Sequence, residues 1–112
     1  MNYELKTNNT MAYHCHYQVV FCPKYRRKVL VKGVDERLKT ILIETIKKWG
    51  QELAELEVMP DHVHLLVGCD PQCGIHRLVK YLKGTSSRYL RQEFPQVKRR
   101  LPSLWNGRTH IS

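Results

Sequence analysis

The stretch Met59-Pro60-Asp61-His62-Val63-His64-Leu65-Leu66-Val67 decides how the rest of the chain is read. Pro60-Asp61 has turn chemistry, and the bulky or β-branched run Val63, Leu65, Leu66, Val67 ends at Gly68. This pattern predicts a tight turn followed by a buried strand. Side chains alternate along a strand, so His62 and His64 point the same way, roughly 6.5–7 Å apart. Val63, Leu65 and Val67 face the opposite side and can anchor the strand in a core. Neutral imidazole is the commonest metal ligand, and two at this separation can converge on one divalent ion. Alone, a His-x-His pair also describes two partly exposed strand residues, so the metal reading needs support from the rest of the chain.

Outward from this stretch, residues 51–59 show a strand pattern with Ala54, Leu56 and Val58 on one side. Together with the Pro60-Asp61 turn they predict an antiparallel hairpin. His62 then sits at the hairpin mouth, where Glu57 or Asp61 could assist a metal. Before the hairpin, Val34, Leu38, Ile41, Leu42, Thr45, Ile46 and Trp49 recur at the spacing of one apolar helical stripe. Asp35 is the expected N-cap, and Gly50 the left-handed stop. Earlier still, residues 12–22 alternate. Tyr13, Cys15, Tyr17, Val19 and Phe21 share one face, and Pro23 ends the strand.

A basic knot, Lys24, Arg26, Arg27 and Lys28, follows that strand directly, with Tyr25 inside it. The tyrosine could stack on a base or pack on the domain surface. After Pro71, the residues Ile75, Leu78, Val79 and Leu82 predict a short helix closed by Gly84. A second helix, capped by Thr85 or Ser86, would pack through Tyr89, Leu90 and Phe94 and halt at Pro95. Lys83 precedes that cap, and Arg88 and Arg91 lie on the outer face; a helix start rich in hydroxyls and open N–H groups suits a phosphate. Thr109-His110-Ile111-Ser112 begins a possible final strand. The order is the β-α-β-β-α-β pattern of an α+β, ferredoxin-like domain. Its antiparallel sheet carries helices on one face, leaving the other face or an edge for a ligand or a second subunit.

The chain of 112 residues is expected to form one domain. No apolar run approaches the roughly 20 residues that cross a bilayer, and Met1 to Thr10 lacks the apolar centre of a signal peptide. These features point away from membranes and toward the cytoplasm. Cys15, Cys22, Cys69 and Cys73 form no Cys-x-x-Cys pair and read as buried, reduced thiols. Nineteen Lys plus Arg against ten Asp plus Glu give a net charge of +9. A polyanion is the natural partner, because each neutralised phosphate releases condensed counterions. The clustering at Lys24–Lys28 and at Lys98, Arg99 and Arg100 favours nucleic acid over a diffuse basic surface.

At this point the chain resembles a known family, the single-tyrosine HUH transposases of small bacterial and archaeal insertion sequences, with the REP-associated tyrosine transposases as relatives. The resemblance covers essentially the whole length. It rests on Val19-Val20-Phe21-Cys22-Pro23-Lys24-Tyr25-Arg26-Arg27-Lys28-Val29-Leu30, on Leu56-Glu57-Val58 continuing into the histidine stretch, on Leu82-Lys83-Gly84-Thr85-Ser86-Ser87-Arg88, and on Ser103-Leu104-Trp105-Asn106. It implies a homodimer whose sheets join, recognition of imperfect single-stranded DNA hairpins at the element's ends, and Mg²⁺ or Mn²⁺ held by His62 and His64. With that partner, the basic and aromatic residues read above, Lys24, Tyr25, Arg26, Arg27, Lys28, Lys83, Arg88 and Arg91, are the expected DNA contacts. In such enzymes a tyrosine on a C-terminal helix forms a 5′-phosphotyrosine, and a glutamine on the same helix completes the metal shell. The tyrosines here are Tyr3, Tyr13, Tyr17, Tyr25, Tyr81 and Tyr89. None follows Trp105, and residues 1–112 therefore read as a single HUH domain lacking that helix, with no catalytic nucleophile and strand cleavage lost.

Two other readings are open on the residues. A non-catalytic nucleic-acid-binding domain would use the open sheet, although the aromatic strand motif of RNA-recognition folds is missing. A small zinc protein would place His14 and His16 on a strand next to His62 and His64, forming a four-histidine site.

Overall fold

A computed structural model of the chain describes residues 15–100 and 103–112. Four strands form one antiparallel sheet: β1 (Cys15–Pro23), β2 (Glu52–Met59), β3 (His62–Cys69) and β4 (Trp105–Ile111). Their spatial order is β2-β3-β1-β4. Helix α1 (Val34–Lys48) connects β1 to β2, and α2 (Ile75–Glu93) with the short α3 (Pro95–Arg100) connects β3 to β4. This is the α+β, ferredoxin-like arrangement that the strand and helix patterns predict.

The alternation in β1 and β3 explains the layering. Val19 and Phe21 of β1 pair in register with Leu65 and Val63 of β3, and all four are buried. They form one core with Leu38, Leu42 and Ile46 of α1 and Leu78, Leu82 and Leu90 of α2. Both long helices therefore lie on one face of the sheet. Burial of a Val, Leu, Ile or Phe side chain contributes about 1.5–3 kcal/mol, so this shared stripe outweighs the local preference of any single residue.

The last strand starts at Trp105, four residues before the expected Thr109, and three further boundaries differ from the sequence reading. The two short helices expected on either side of Gly84 are one continuous helix. Leu78, Leu82, Ser86 and Leu90 keep a single buried stripe across the glycine, whose penalty of about 1 kcal/mol the stripe exceeds. Ser86 does not cap; its hydroxyl donates back to the Leu82 carbonyl at 2.6 Å. Helix α1 begins at Val34, with Gly33 at φ 95° as its N-cap, and Asp35 falls inside the first turn beside Glu36. There a carboxylate still meets the positive end of the helix dipole. In β2 the register shifts between Leu53 and Glu55. Ala54 is the extra, exposed residue, and Leu53, Leu56 and Val58 pack on the core.

Gly50 ends α1 as expected. At φ 73° it lets the Gln51 N–H reach back to the Ile46 carbonyl at 3.1 Å. Of the cysteines, only Cys69 is buried; Cys15 is exposed and all four are free. Burial, with the neighbouring Cys73 thiol, pushes the Cys69 thiol up to about 12, which leaves it protonated and unreactive. Among the described residues no helix is long and apolar enough to cross a membrane.

Candidate functional site

Because Val63, Leu65 and Val67 are fixed in the core, His62 and His64 must project from the opposite, helix-free face. Both rings are partly exposed. The antiparallel registers set their neighbours: Glu57 of β2 and Val20 of β1 flank His64, and Met59 faces His62. Beyond Val20 the next partner is His110 of β4, so a third imidazole shares this face two strands away from His64. The sequence shows only that a strand could begin near Thr109; its register, and hence His110, was not legible there.

The hairpin turn brings further groups to the same end. Nδ1 of His62 lies 3.0 Å from Oδ1 of Asp61, and Nη2 of Arg26 lies 3.4 Å from Oδ2 of that carboxylate. The bond with His62 holds the Asp61 carboxyl below the usual carboxylate range, against the upward pull of desolvation, and the Arg26 charge adds to it. Arg26 belongs to the basic knot, a loop tied at both ends. The Lys24 N–H donates to the Leu104 carbonyl at 2.8 Å, and the Leu30 N–H donates to Pro60 at 3.1 Å. Val29 and Leu30 are buried as its foot. The knot thus stands against the histidine end of β3, with Arg26, Arg27, Lys28 and Tyr25 exposed and Lys24 partly so.

The remaining basic residues of the expected DNA surface lie elsewhere. Arg88 and Arg91 are on α2, in the helical layer, and the Arg88 guanidinium sits 5.0 Å from the Tyr89 ring centroid. Lys83 is drawn inward: its Nζ donates to the Asn106 carbonyl and to Oγ1 of Thr109, each at 2.8 Å. It also lies 5.9 Å from the Phe21 ring centroid, and burial lowers its pKa. Lys83 joins α2 to β4 in place of the open phosphate site expected of it. The structure therefore gathers Lys24–Lys28 with the histidines and separates them from Lys83, Arg88 and Arg91.

The donor set can be tested against a divalent ion. His62 and His64 share one face, as two imidazoles meeting one ion must. Among the described residues, no group of three His, Cys, Asp or Glu side chains is placed to hold a metal. Water, phosphate or groups outside these residues would supply the other ligands, as suits Mg²⁺ or Mn²⁺. The four-histidine zinc arrangement fails on register. His16 pairs with Gly68, four residues along the strand from His64 and thus roughly 13 Å away, and it faces Glu52 at 3.7 Å. His14 lies outside the described residues.

The described tyrosines are also distributed by the fold. Tyr17 packs on the core, and Tyr81 and Tyr89 belong to α2 on the helical side. Tyr81 is tilted against Trp49 with centroids 5.1 Å apart. Of the described tyrosines, Tyr25 alone stands at the histidine end.

Fold and site together define a small α+β domain with a histidine pair on an open sheet face beside a basic loop. Residues 11–112 match the family described as transposase IS200-like, and the chain belongs to that family. It is 43% identical over 105 residues to the ISDra2 transposase TnpA of Deinococcus radiodurans, covering 92% of this chain and 75% of the relative. It is 32% identical over 87 residues to the transposase for insertion sequence element IS200 of Salmonella typhimurium, covering 77% of this chain and 57% of the relative. A crystal structure described as a transposase of D. radiodurans R1 superposes with a TM-score of 0.82 at 42% identity, over 89% of this chain and 78% of the other. A REP-associated tyrosine transposase bound to a REP hairpin shares the fold, with a TM-score of 0.67 at 14% identity over 87% of this chain and 54% of the other.

Proposed function

We propose that this IS200-like chain binds hairpin ends of single-stranded DNA as a homodimer and holds Mg²⁺ or Mn²⁺ through His62 and His64, as part of strand cleavage and transfer via a phosphotyrosine. One observation carries the reading: the fold sets the open-face histidines against the tethered basic loop Lys24–Lys28. A DNA strand crossing that end of the sheet would meet cations for its backbone, an exposed aromatic ring at Tyr25 and two imidazoles, all within one patch.

The chain's own residues divide the work. Arg27 and Lys28 are exposed and neutralise phosphates, which fixes the strand's path without reading sequence. Tyr25 offers a face on which an unpaired base can stack. His62 and His64 would hold the ion, whose charge, when bound, polarises a phosphoryl oxygen of the strand. No described tyrosine other than Tyr25 reaches this end of the fold, and Tyr25 rides on a loop outside the sheet. Among the described residues, then, the patch is assigned binding, and none of them is assigned the nucleophile.

The test uses labelled single-stranded hairpin DNA from the element's own ends, with Mn²⁺ present. The expected result is salt-sensitive binding that prefers the hairpin to a blunt duplex, with no covalent protein–DNA adduct. A covalent adduct would overturn the assignment of binding alone; equal affinity for blunt duplex would overturn the single-strand reading. Sedimentation should show a dimer, and a monomer at micromolar concentration would remove that part.

A further inference from the structure

Asp61 closes the two-residue turn between β2 and β3, and its two oxygens face different partners. Oδ1 is 3.0 Å from Nδ1 of His62, while Oδ2 is 3.4 Å from Nη2 of Arg26. A neutral imidazole carries one N–H, on either nitrogen. With the proton on Nδ1, the contact to Asp61 is a hydrogen bond and Nε2 keeps its lone pair. With the proton on Nε2, two lone pairs would face each other at 3.0 Å, a repulsive arrangement. The carboxylate thus selects the first tautomer. His64 makes no comparable contact to a carboxylate among the described residues, so the selection applies to one histidine of the pair.

We infer that Asp61 is a positioning residue: its carboxylate holds His62 as the Nδ1–H tautomer with Nε2 bare for a metal, and Arg26 holds that carboxylate in place. Asp61 acts behind the ligand, in the manner of carboxylates that orient metal-binding histidines and raise their basicity. The role of Nε2 rests on the metal-binding reading above; the tautomer does not. Arg26 lies in the basic loop 35 residues away in sequence. Through it, the basic loop reaches the ligand end of β3.

The experiment reads the tautomer directly. Long-range ¹H–¹⁵N correlation spectra of the metal-free protein, at a pH where imidazole is neutral, distinguish protonated from bare ring nitrogens. His62 should show a protonated Nδ1 and a bare Nε2, with His64 as the internal comparison showing the mixture usual for a solvated ring. Asp61→Ala should return His62 to such a mixture and weaken Mn²⁺ binding, measured by titration, roughly 10- to 100-fold. Asp61→Asn keeps an acceptor oxygen without the charge, and should retain the tautomer with a smaller loss of affinity. A protonated Nε2 on His62 in the native protein overturns the inference. So does an Asp61→Ala protein that binds Mn²⁺ as well as the native one. Native protein that shows the expected tautomer yet binds no Mn²⁺ brings down the metal reading and the ligand role of Nε2 with it, leaving the tautomer lock established.

Discussion

The indole N–H of Trp105 donates to the hydroxyl of Ser86 across 2.9 Å, inside the core. That hydroxyl in turn donates to the carbonyls of Leu82 and Lys83, at 2.6 and 3.2 Å. Ser86 is fully buried, and the Trp105 ring meets Phe21 edge-on with centroids 4.7 Å apart. One hydroxyl therefore joins the start of β4 to the middle of α2. Ser86→Ala would leave a buried indole N–H without an acceptor, at about 1–3 kcal/mol. Urea unfolding should show a lower midpoint with an unchanged slope. Adding Trp105→Phe removes the orphaned donor as well, so the double variant should lose less than the sum of the two single changes.

A second link, Arg37 to Glu93, ties the first turn of α1 to the end of α2 through two bonds of 2.8 and 3.1 Å. Arg37 holds the Glu93 carboxyl below its ordinary range. A carboxylate with a depressed folded pKa stabilises the fold above its unfolded value, and that contribution disappears as pH falls through the folded value. Stability should thus decline from about pH 4.3, the ordinary glutamate value, downward. Glu93→Gln should be less stable than the native chain at neutral pH and should lose less as the solution is acidified from about pH 5 to about pH 3. Thermal unfolding across that range checks both; parallel curves would exclude a contribution from the pair. Both side chains are over a third exposed, so salt should shrink the difference.

The architecture was legible because its signals are periodic. Val19 and Phe21 alternate with polar neighbours, α1 repeats every three to four residues, and Pro60-Asp61 can only be a turn between two such runs. Gly84 misled because the buried stripe of α2 carries the helix across it, and Ala54 because a register shift moves it out of the alternation that Leu56 and Val58 keep. The pairing of Arg26 with Asp61 could not be read at all: it joins residues 35 apart through a loop whose path depends on Leu104 and Pro60. The contacts of Lys83 were hidden for a related reason. Nothing in its sequence neighbours reveals that β4 will offer it a carbonyl and a hydroxyl.

Lys83 and the basic loop should separate cleanly by experiment. Lys83→Met removes the donors to Asn106 and Thr109, and should lower stability while leaving the salt dependence of DNA binding unchanged. Arg27→Gln or Lys28→Gln should do the reverse. Each should flatten the slope of log affinity against log salt by roughly 0.7 for every single-strand phosphate it no longer neutralises. Affinity measured by anisotropy between about 50 and 200 mM salt distinguishes the two outcomes. A flattened slope for Lys83→Met would return that residue to the DNA surface.

Tyr25 and Arg26 both adopt left-handed backbone, with φ of 59° and 53°, and Tyr25 is 71% exposed. A non-glycine residue held there costs about 1–3 kcal/mol and persists where the surroundings impose it. Here the imposition is visible: the loop is pinned by Lys24 to Leu104 and by Leu30 to Pro60, and the turn sends Arg26 back to Asp61. The same twist leaves the Tyr25 side chain mostly in solvent, so little packing is lost with it. Tyr25→Gly should therefore leave stability unchanged or slightly raised, since the strain disappears with the side chain. Its affinity for unpaired DNA should fall by about 1–3 kcal/mol if a base stacks on the ring, and Tyr25→Phe should restore it. Undiminished affinity in Tyr25→Gly would show that the strained turn serves only to aim Arg26.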